Sequence, residues 1–255
     1  MAGLSPDAAR PFETPDGADG YEWFEVPPEG EGPGTLPPRR AGTPTAGGVH
    51  PIELRSWEIL RSRVDTSQLP PWSRAVAERV IHCTADPGYL EDLCLQEEPL
   101  ARAAQALADG LPVVTDTRMA AAGITTLAPL TPIADPAAAR LAEELGCTRS
   151  AAAMVLAARR LGSAAVWVVG NAPTALEAVV DLATGTGIAA AAGLPPIDPM
   201  LVVGLPVGFV GAAQSKARLR ASGLPSVSNI CEKGGSNIAA AAVNALLYGD
   251  PLAQL

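Results

Sequence analysis

From residue 112 onwards, short apolar segments alternate with helical patterns, and this alternation constrains the fold more than any other feature. Short apolar runs bounded by glycine, proline or aspartate are typical of parallel strands buried on both faces. The predicted strands are Pro112–Thr115, Thr125–Leu130, Ala165–Val169, Met200–Gly204 and Ser226–Ile230. Helical patterns lie between them, at about 135–145, 149–161, 173–184, 211–221 and 236–247. The sequence therefore predicts an α/β protein with a doubly wound, parallel sheet of about five strands.

Three more helices are predicted ahead of this region. The first covers about 52–64, where apolar residues recur at helical spacing. The second follows Pro70-Pro71 and carries an apolar stripe of Trp72, Val76, Val80 and Cys83. The third covers about 98–109 and ends at Gly110. With helices on both faces of five strands, the layout is flavodoxin-like.

Residues 1–48 differ from the rest in being rich in proline, glycine and acidic residues. Such a segment buries too little apolar surface to offset the entropy of ordering it. We therefore expect a disordered tail over 1–48 and a folded domain over 49–255.

The composition excludes several classes of function. A protein with a net charge of −9 does not release the counterions of a polyanion, so nucleic acid is not an expected partner. Four scattered cysteines without a CxxC pair, together with two histidines, provide no ligand set for a zinc or iron–sulfur site. We find no signal peptide and no uninterrupted apolar stretch of about 18 residues. The expected protein is cytoplasmic, reduced, metal-free and not membrane-bound.

Glycines follow three successive predicted strands, in Gly170-Asn171, in the segment 204–211, and in Lys233-Gly234-Gly235. Ligands of open parallel sheets bind beyond the carboxyl ends of the strands, where glycines let the backbone and helix N-termini come close. The alternative is that the glycines only form tight turns. Neither GxGxxG nor GxxxxGK[ST] is present, so the fingerprints of dinucleotide and P-loop sites are missing.

His82 is the candidate for proton transfer. It lies about 200° around its helix from Val80, on the face of Ala75, Glu78 and Arg79. A core histidine is expected on the apolar stripe, so a surface histidine is the remaining alternative.

Two further segments are candidates for ligand contacts. Thr148 can cap the helix of 149–161, which places Arg149 and Ser150 beside free N–H groups that suit a carboxylate. An ordinary capped helix with a solvated arginine is the alternative. Met119 follows the first predicted strand, and for it the alternative is filling a gap in the core.

Several segments taken together resemble the precorrin-8X methylmutases, which in the anaerobic route are cobalt-precorrin-8 methylmutases. They are Ile52–Ile59, Arg79–His82, Thr148–Ala153, Gly170–Leu176, Gly204–Ala213 and Lys233–Leu246. The similarity extends from about Pro51 to Tyr248, and GNAPTAL and LPVGFVGAA are its most distinctive strings. Two positions depart from the family pattern: Gln214, where glutamate is common, and Glu232, where a basic residue is common.

The resemblance implies a flavodoxin-like homodimer with active sites near the dimer interface. It implies an isomerase that moves a methyl group from C-11 to C-12 of precorrin-8X, or of its cobalt form, to give hydrogenobyrinic or cobyrinic acid. No separate cofactor is implied. The implied partners are the tetrapyrrole substrate, a second copy of the chain and neighbouring enzymes of the pathway.

The resemblance also assigns roles to residues. His82 becomes the expected proton-transfer residue. Because the substrate is a polycarboxylate, charged residues become expected clamps for its side chains, namely Arg55, Arg149, Lys216 and Lys233. The other implied contacts are Ser56, Met119, Ser150 and Asn171. The alternative function is a non-catalytic protein of the same fold that binds a corrin or a nucleotide.

Overall fold

The computed structural model describes residues 51–162 and 164–249, so the predicted tail over 1–48 lies outside the described residues. The helices are α1 (Pro51–Arg63), α2 (Pro71–Thr84), α3 (Tyr89–Asp92), α4 (Glu97–Ala108), α5 (Arg118–Gly123), α6 (Pro136–Leu145), α7 (Arg149–Leu161), α8 (Pro173–Thr184), α9 (Gly187–Ala191), α10 (Ala212–Ala221) and α11 (Ser236–Tyr248). The strands are β1 (Leu93–Cys94), β2 (Val113–Thr115), β3 (Val166–Val169), β4 (Leu201–Gly204) and β5 (Ser226–Asn229). A 3-10 turn covers Pro132–Ala134.

The five strands form a sheet in the order β1-β5-β4-β3-β2. Strands β2 to β5 are parallel, with Val166 opposite Val113 on one side and Leu201 on the other. The edge strand β1 runs antiparallel to β5 and pairs Leu93 with Asn229. The expectation of an all-parallel sheet is therefore wrong at this edge, where a two-residue strand is too short to leave a sequence pattern.

The predicted strand Thr125–Leu130 is wrong as well, because this segment contributes a single bridge. The amide of Leu130 donates to the carbonyl of Val113 at 2.8 Å, and its carbonyl accepts from the amide of Thr115 at 2.9 Å. Pro129 has no N–H to extend the ladder. The bridge is parallel and lies on the edge of β2 away from β3.

Helices cover both faces of the sheet, as predicted. Alternate residues of a strand point to opposite faces, so Val166 and Val168 pack with α1, α2, α4 and α11. Trp167 and Val169 pack with α6, α7, α8 and α10. Alanines dominate the buried faces of α7 and α11, which lets these helices pack closely against their neighbours. Within the described ranges, no helix has the length and apolar character needed to cross a bilayer.

The bounds of the predicted helices follow from local caps. Thr148 begins α7 by accepting a hydrogen bond from the amide of Ala151, and Asp135 begins α6 in the same way. Pro173 occupies the first turn of α8, where its missing N–H has no consequence. Gly185 ends α8 in the left-handed conformation that favours glycine.

Helix α1 is held on α2 by a buried carboxylate. Glu78 is 1% exposed, and its carboxylate accepts hydrogen bonds from Arg61, Arg74 and Thr66. Burial acts to raise the pKa of Glu78, but these hydrogen bonds outweigh it and the pKa is lowered. The predicted stripe on α2 is therefore wrong in part: Cys83 is exposed, and the face of Glu78 is covered by α1. A helix covered from two sides does not show its burial in one apolar stripe.

Candidate active site

One of the three predicted glycine-containing turns, the one after β3, encloses a side chain of the protein itself. Asp116 directly follows β2 and is fully buried. Its carboxylate accepts hydrogen bonds from the amides of Gly170, Asn171 and Ala172 at 3.1, 2.8 and 3.0 Å. Burial raises the pKa of Asp116, and the three amides oppose this effect. These three amides, in the turn that leads into α8, are therefore not free to bind an external anion.

His82 is held between α1 and α2. Its Nε2 atom lies 2.9 Å from the hydroxyl oxygen of Ser56, within hydrogen-bonding distance. Its ring stacks on the indole of Trp57, with the ring centroids 4.3 Å apart and the planes inclined by 10°. Both partners come from α1, one residue apart, so a single helix positions both the face and the edge of the imidazole. The histidine is half-buried, and the surface alternative is wrong.

This environment disfavours the charged imidazole. Burial lowers the pKa of His82, the charge of Glu53 acts to raise it, and the charge of Arg79 lowers it further. The pKa therefore lies below its usual value of 6.5. At neutral pH the ring is uncharged and can accept a proton, and its conjugate acid is a stronger proton donor than free histidinium.

His82 lines a groove of about 260 Å³ between α2, α5 and α11. The polar lining of this groove comes from Arg79, His82, Cys83, Asn237 and Asn244. A smaller cavity of about 110 Å³ lies beside Ser56 and also reaches His82. The imidazole is thus accessible from two sides, although its ring face is covered by Trp57.

The groove contains buried polar atoms without protein partners. The Arg79 guanidinium lies 5.9 Å from the ring centroid of Trp57 and 5.5 Å from that of Tyr248. Its Nε and the Oδ1 of Asn244 are buried with no hydrogen-bond partner among residues 51–162 and 164–249. The Nδ2 of Asn244 donates to the carbonyl of Gly123 at 2.8 Å. Such groups in a groove are suited to a ligand or to water.

The ammonium groups of two predicted clamps are already bound by other groups of the protein. Lys216 is fully buried, and its ammonium donates to Asn229 Oδ1 at 2.8 Å and to the carbonyl of Lys233 at 2.7 Å. Burial lowers the pKa of Lys216 to about 8. The ammonium of Lys233 lies 3.0 Å from Asp86 and 2.7 Å from Asp92, and these carboxylates raise its pKa. Lys216 therefore does not face the crevice.

The other predicted contacts are more exposed. Arg55 pairs with Glu58 at 3.0 Å on the surface of α1, and Asn171 is exposed at the start of the turn into α8. Met119 is 73% exposed on α5, so the core-filling alternative is wrong. Arg149 is exposed and donates to the carbonyl of Ile133 at 2.6 Å, and the adjacent Ser150 is half-buried.

The structure brings Ser56 and His82 together, while Arg149 and Ser150 begin a helix on the opposite face of the sheet. Two residues to which the sequence pattern assigns no role also line the groove, namely Arg79 and Asn244. Of these, Arg79 could be suspected from the sequence, because helical spacing places it on the same face of α2 as His82. In the described part of the chain, no three histidine, cysteine, aspartate or glutamate side chains are arranged to hold a metal ion.

These features define an α/β protein with a mostly parallel sheet and a half-buried histidine beside a groove with an arginine in its wall. Comparisons with known proteins agree. The model of the family described as "Precorrin-8X methylmutase" matches residues 51–249. The "Cobalt-precorrin-8 methylmutase" of Methanothermobacter thermautotrophicus is 38% identical over 80% of this chain and 94% of its own length. The "Precorrin-8X methylmutase" of Pseudomonas aeruginosa is 37% identical over 76% and 93%.

A solved structure supports the same relationship. The crystal structure of the precorrin-8X methylmutase from Thermus thermophilus superposes with a TM-score of 0.64 at 29% identity, covering 77% of this chain and 95% of its own. The chain belongs to the precorrin-8X methylmutase family, and it is an isomerase of cobalamin biosynthesis.

Proposed function

We propose that the chain moves a methyl group from C-11 to C-12 of precorrin-8X, or of its cobalt form, and that His82 transfers the proton that this reaction needs. The observation that carries this proposal is the half-buried imidazole, fixed by Ser56 and Trp57 and open to a groove. Protonating the conjugated ring system eases the sigmatropic shift of the methyl group. The proton returns to His82 afterwards, so substrate and product have the same atoms.

The lowered pKa of His82 suits both halves of this cycle. Its conjugate acid is a stronger acid than free histidinium, which favours proton transfer to the macrocycle. The neutral ring then recovers the proton. The hydroxyl of Ser56 keeps Nε2 hydrogen bonded throughout, which limits rotation of the ring.

A positive side chain in the groove wall suits a carboxylate of the substrate. Arg79 has an unpartnered Nε in the groove wall, so we propose it as a carboxylate contact. Five residues outside the lining of this groove remain proposed contacts: Arg55, Met119, Arg149, Ser150 and Asn171. All except the half-buried Ser150 are exposed. Lys216 supports the site from inside, since its ammonium is enclosed.

We further propose a homodimer. The loop between Gly204 and Gly211 exposes Phe209 to 97% and Val210 to 88% at the carboxyl edge of the sheet, and such side chains mark interaction surfaces. The groove of about 260 Å³ is also smaller than the roughly 300–1,000 Å³ of ordinary ligand sites, so a second copy is expected to complete it. Neighbouring enzymes of the pathway are proposed as transient partners.

Two finer assignments belong to the same proposal. The parallel bridge of Leu130 beyond β2 supports a flavodoxin-like order, in which the second segment lies outside the first. The four cysteines are all free thiols, which supports a reducing compartment such as the cytoplasm.

The test is conversion by the purified full chain of precorrin-8X and, separately, of cobalt-precorrin-8, followed by the change in the visible spectrum. We expect turnover of at least one form. Binding of the corrin product without turnover of either form would contradict the proposal and would favour a non-catalytic carrier.

A further inference from the structure

The turn that ends the His82 helix has an unusual backbone. Ala85, three residues after His82, has φ of +52° and is the non-glycine residue with positive φ in the described part of the chain. The left-handed conformation is unfavourable for residues with a Cβ, and it persists only where the surroundings fix it. Ala85 and Pro87 also line the smaller cavity beside His82. A strained turn thus borders the site.

Charged contacts fix this turn. The carboxylate of Asp86 accepts from the amide of Gly88 at 2.9 Å and from the ammonium of Lys233 at 3.0 Å. The same ammonium lies 2.7 Å from Asp92 and 4.8 Å from the ring centroid of Tyr89. One side chain therefore links the loop after β5 to both ends of the segment 86–92.

Lys233 is itself held in place from beneath. Its carbonyl accepts from the ammonium of the buried Lys216 at 2.7 Å and from the side-chain amide of Asn229 at 3.0 Å. The next residue, Gly234, has no room for a side chain, since a Cβ there would lie 2.4 Å from the carbonyl oxygens of Leu205 and Pro206. The backbone that carries the Lys233 ammonium is therefore fixed on both sides.

We propose that Lys233 is a positioning residue: its ammonium, shared by Asp86 and Asp92, holds the strained turn after α2 and thereby keeps His82 against Trp57 and Ser56. The proposal rests on the proposed role of His82. It differs from the expected clamp role, because both carboxylates that engage the ammonium belong to the protein.

Asp86→Asn separates the two roles. If Lys233 instead clamps the substrate, removing the charge of Asp86 would loosen the protein's hold on the ammonium and tighten binding of the corrin product. For a positioning residue, Asp86→Asn and Lys233→Met should both lower kcat, by about ten- to a hundredfold as small misplacements of catalytic groups do. The affinity for the corrin product should stay within about twofold of the parent. The kcat of the double variant should be no lower than that of the less active single variant.

A second readout does not depend on turnover. In a His50→Gln chain, His82 is the remaining histidine, and its pKa can be followed by NMR. Since Glu53 and Arg79, the charged groups acting on it, are unchanged, a loosened turn should let water reach the ring and raise the pKa towards 6.5. We expect this rise in Lys233→Met and Asp86→Asn, and not in Lys233→Arg.

The matched controls are Arg102→Met and Glu98→Gln, which break an exposed ion pair on α4 and should change nothing. Tighter product binding by Asp86→Asn would overturn the proposal, and so would an unchanged kcat in folded Lys233→Met. An unshifted His82 pKa in both folded variants would overturn it as well. Failure of the parent to turn over its substrate would instead contradict the proposed function, and the NMR titration would still decide the role of Lys233.

Discussion

The imidazole of His82 lies face to face with the indole of Trp57, with ring centroids 4.3 Å apart and an interplanar angle of 10°. The indole excludes water from one face of the imidazole, which disfavours its charged form. Ser56, the residue before Trp57, is hydrogen bonded to the Nε2 edge. Two consecutive residues of α1 therefore cover one face of the candidate catalytic group and fix its orientation.

This relationship predicts a pH dependence of stability. Because the pKa of His82 is lower in the folded protein than its usual 6.5, the unfolded chain binds more protons between those two values. The contribution of His82 to stability is thus fully present above pH 6.5 and is lost as the pH falls through the folded-state pKa. In urea unfolding, the free energy of unfolding should fall more steeply between pH 8 and pH 5 for the parent than for His82→Gln. Parallel curves would contradict the lowered pKa.

Asp116 predicts a stability effect away from the histidine. Its carboxylate accepts three backbone hydrogen bonds in a buried position, and an asparagine would turn an N–H₂ group towards some of these donors. We expect Asp116→Asn to lower the free energy of unfolding by about 1–3 kcal/mol, the usual result of leaving a buried donor unpaired. The exposed Asp198→Asn is the control, and an equal effect of both changes would argue against the assignment.

Arg149 predicts a binding effect without a folding effect. It begins α7, is exposed, and donates a hydrogen bond to the backbone carbonyl of Ile133. Arg149→Ala should weaken binding of the corrin product by about 1.5–3 kcal/mol, as expected for a hydrogen bond to a charged group, and leave the thermal midpoint intact. Arg159→Ala, at the exposed far end of the same helix, is the control. Unchanged affinity in calorimetry would place Arg149 outside the site.

Residues 1–48 are predicted to contribute neither stability nor activity. The prediction comes from their composition, and the family match begins only at residue 51. A variant beginning at Val49 should keep the thermal midpoint and the turnover of the full chain. Loss of either beyond experimental error would show that the segment docks on the domain.

The helices and central strands could be predicted because their signals are local. Helix α7 was predicted within its observed bounds, since Thr148 caps it and Gly162 follows it. Strand β1 could not be predicted, because two residues carry no periodicity and its pairing with β5 is non-local. The segment Thr125–Leu130 has the apolar character of a strand, but Pro129 limits it to one bridge.

The site was predictable only in part, because several of its contacts join residues that are far apart in the sequence. Helical spacing separated His82 from the apolar stripe, yet its contact with Ser56 spans 26 residues and depends on how α1 packs on α2. Lys216 is on a helix whose sequence gives no indication that its ammonium is enclosed by the loop after β5. Asp116 reads as an ordinary polar residue after a strand until the amides of the next strand's loop are seen around it.

Turnover by His82→Ala tests the central claim most directly. General acid–base catalysis is typically worth about 10²- to 10⁴-fold, so the variant should lose about that factor in kcat. Its binding of the corrin product should stay within about threefold, because the proposed carboxylate contacts remain. The matched control is His50→Gln, which should leave turnover unchanged. If folded His82→Ala instead turns over its substrate within about threefold of the parent, His82 does not transfer the proton and the proposed mechanism is wrong.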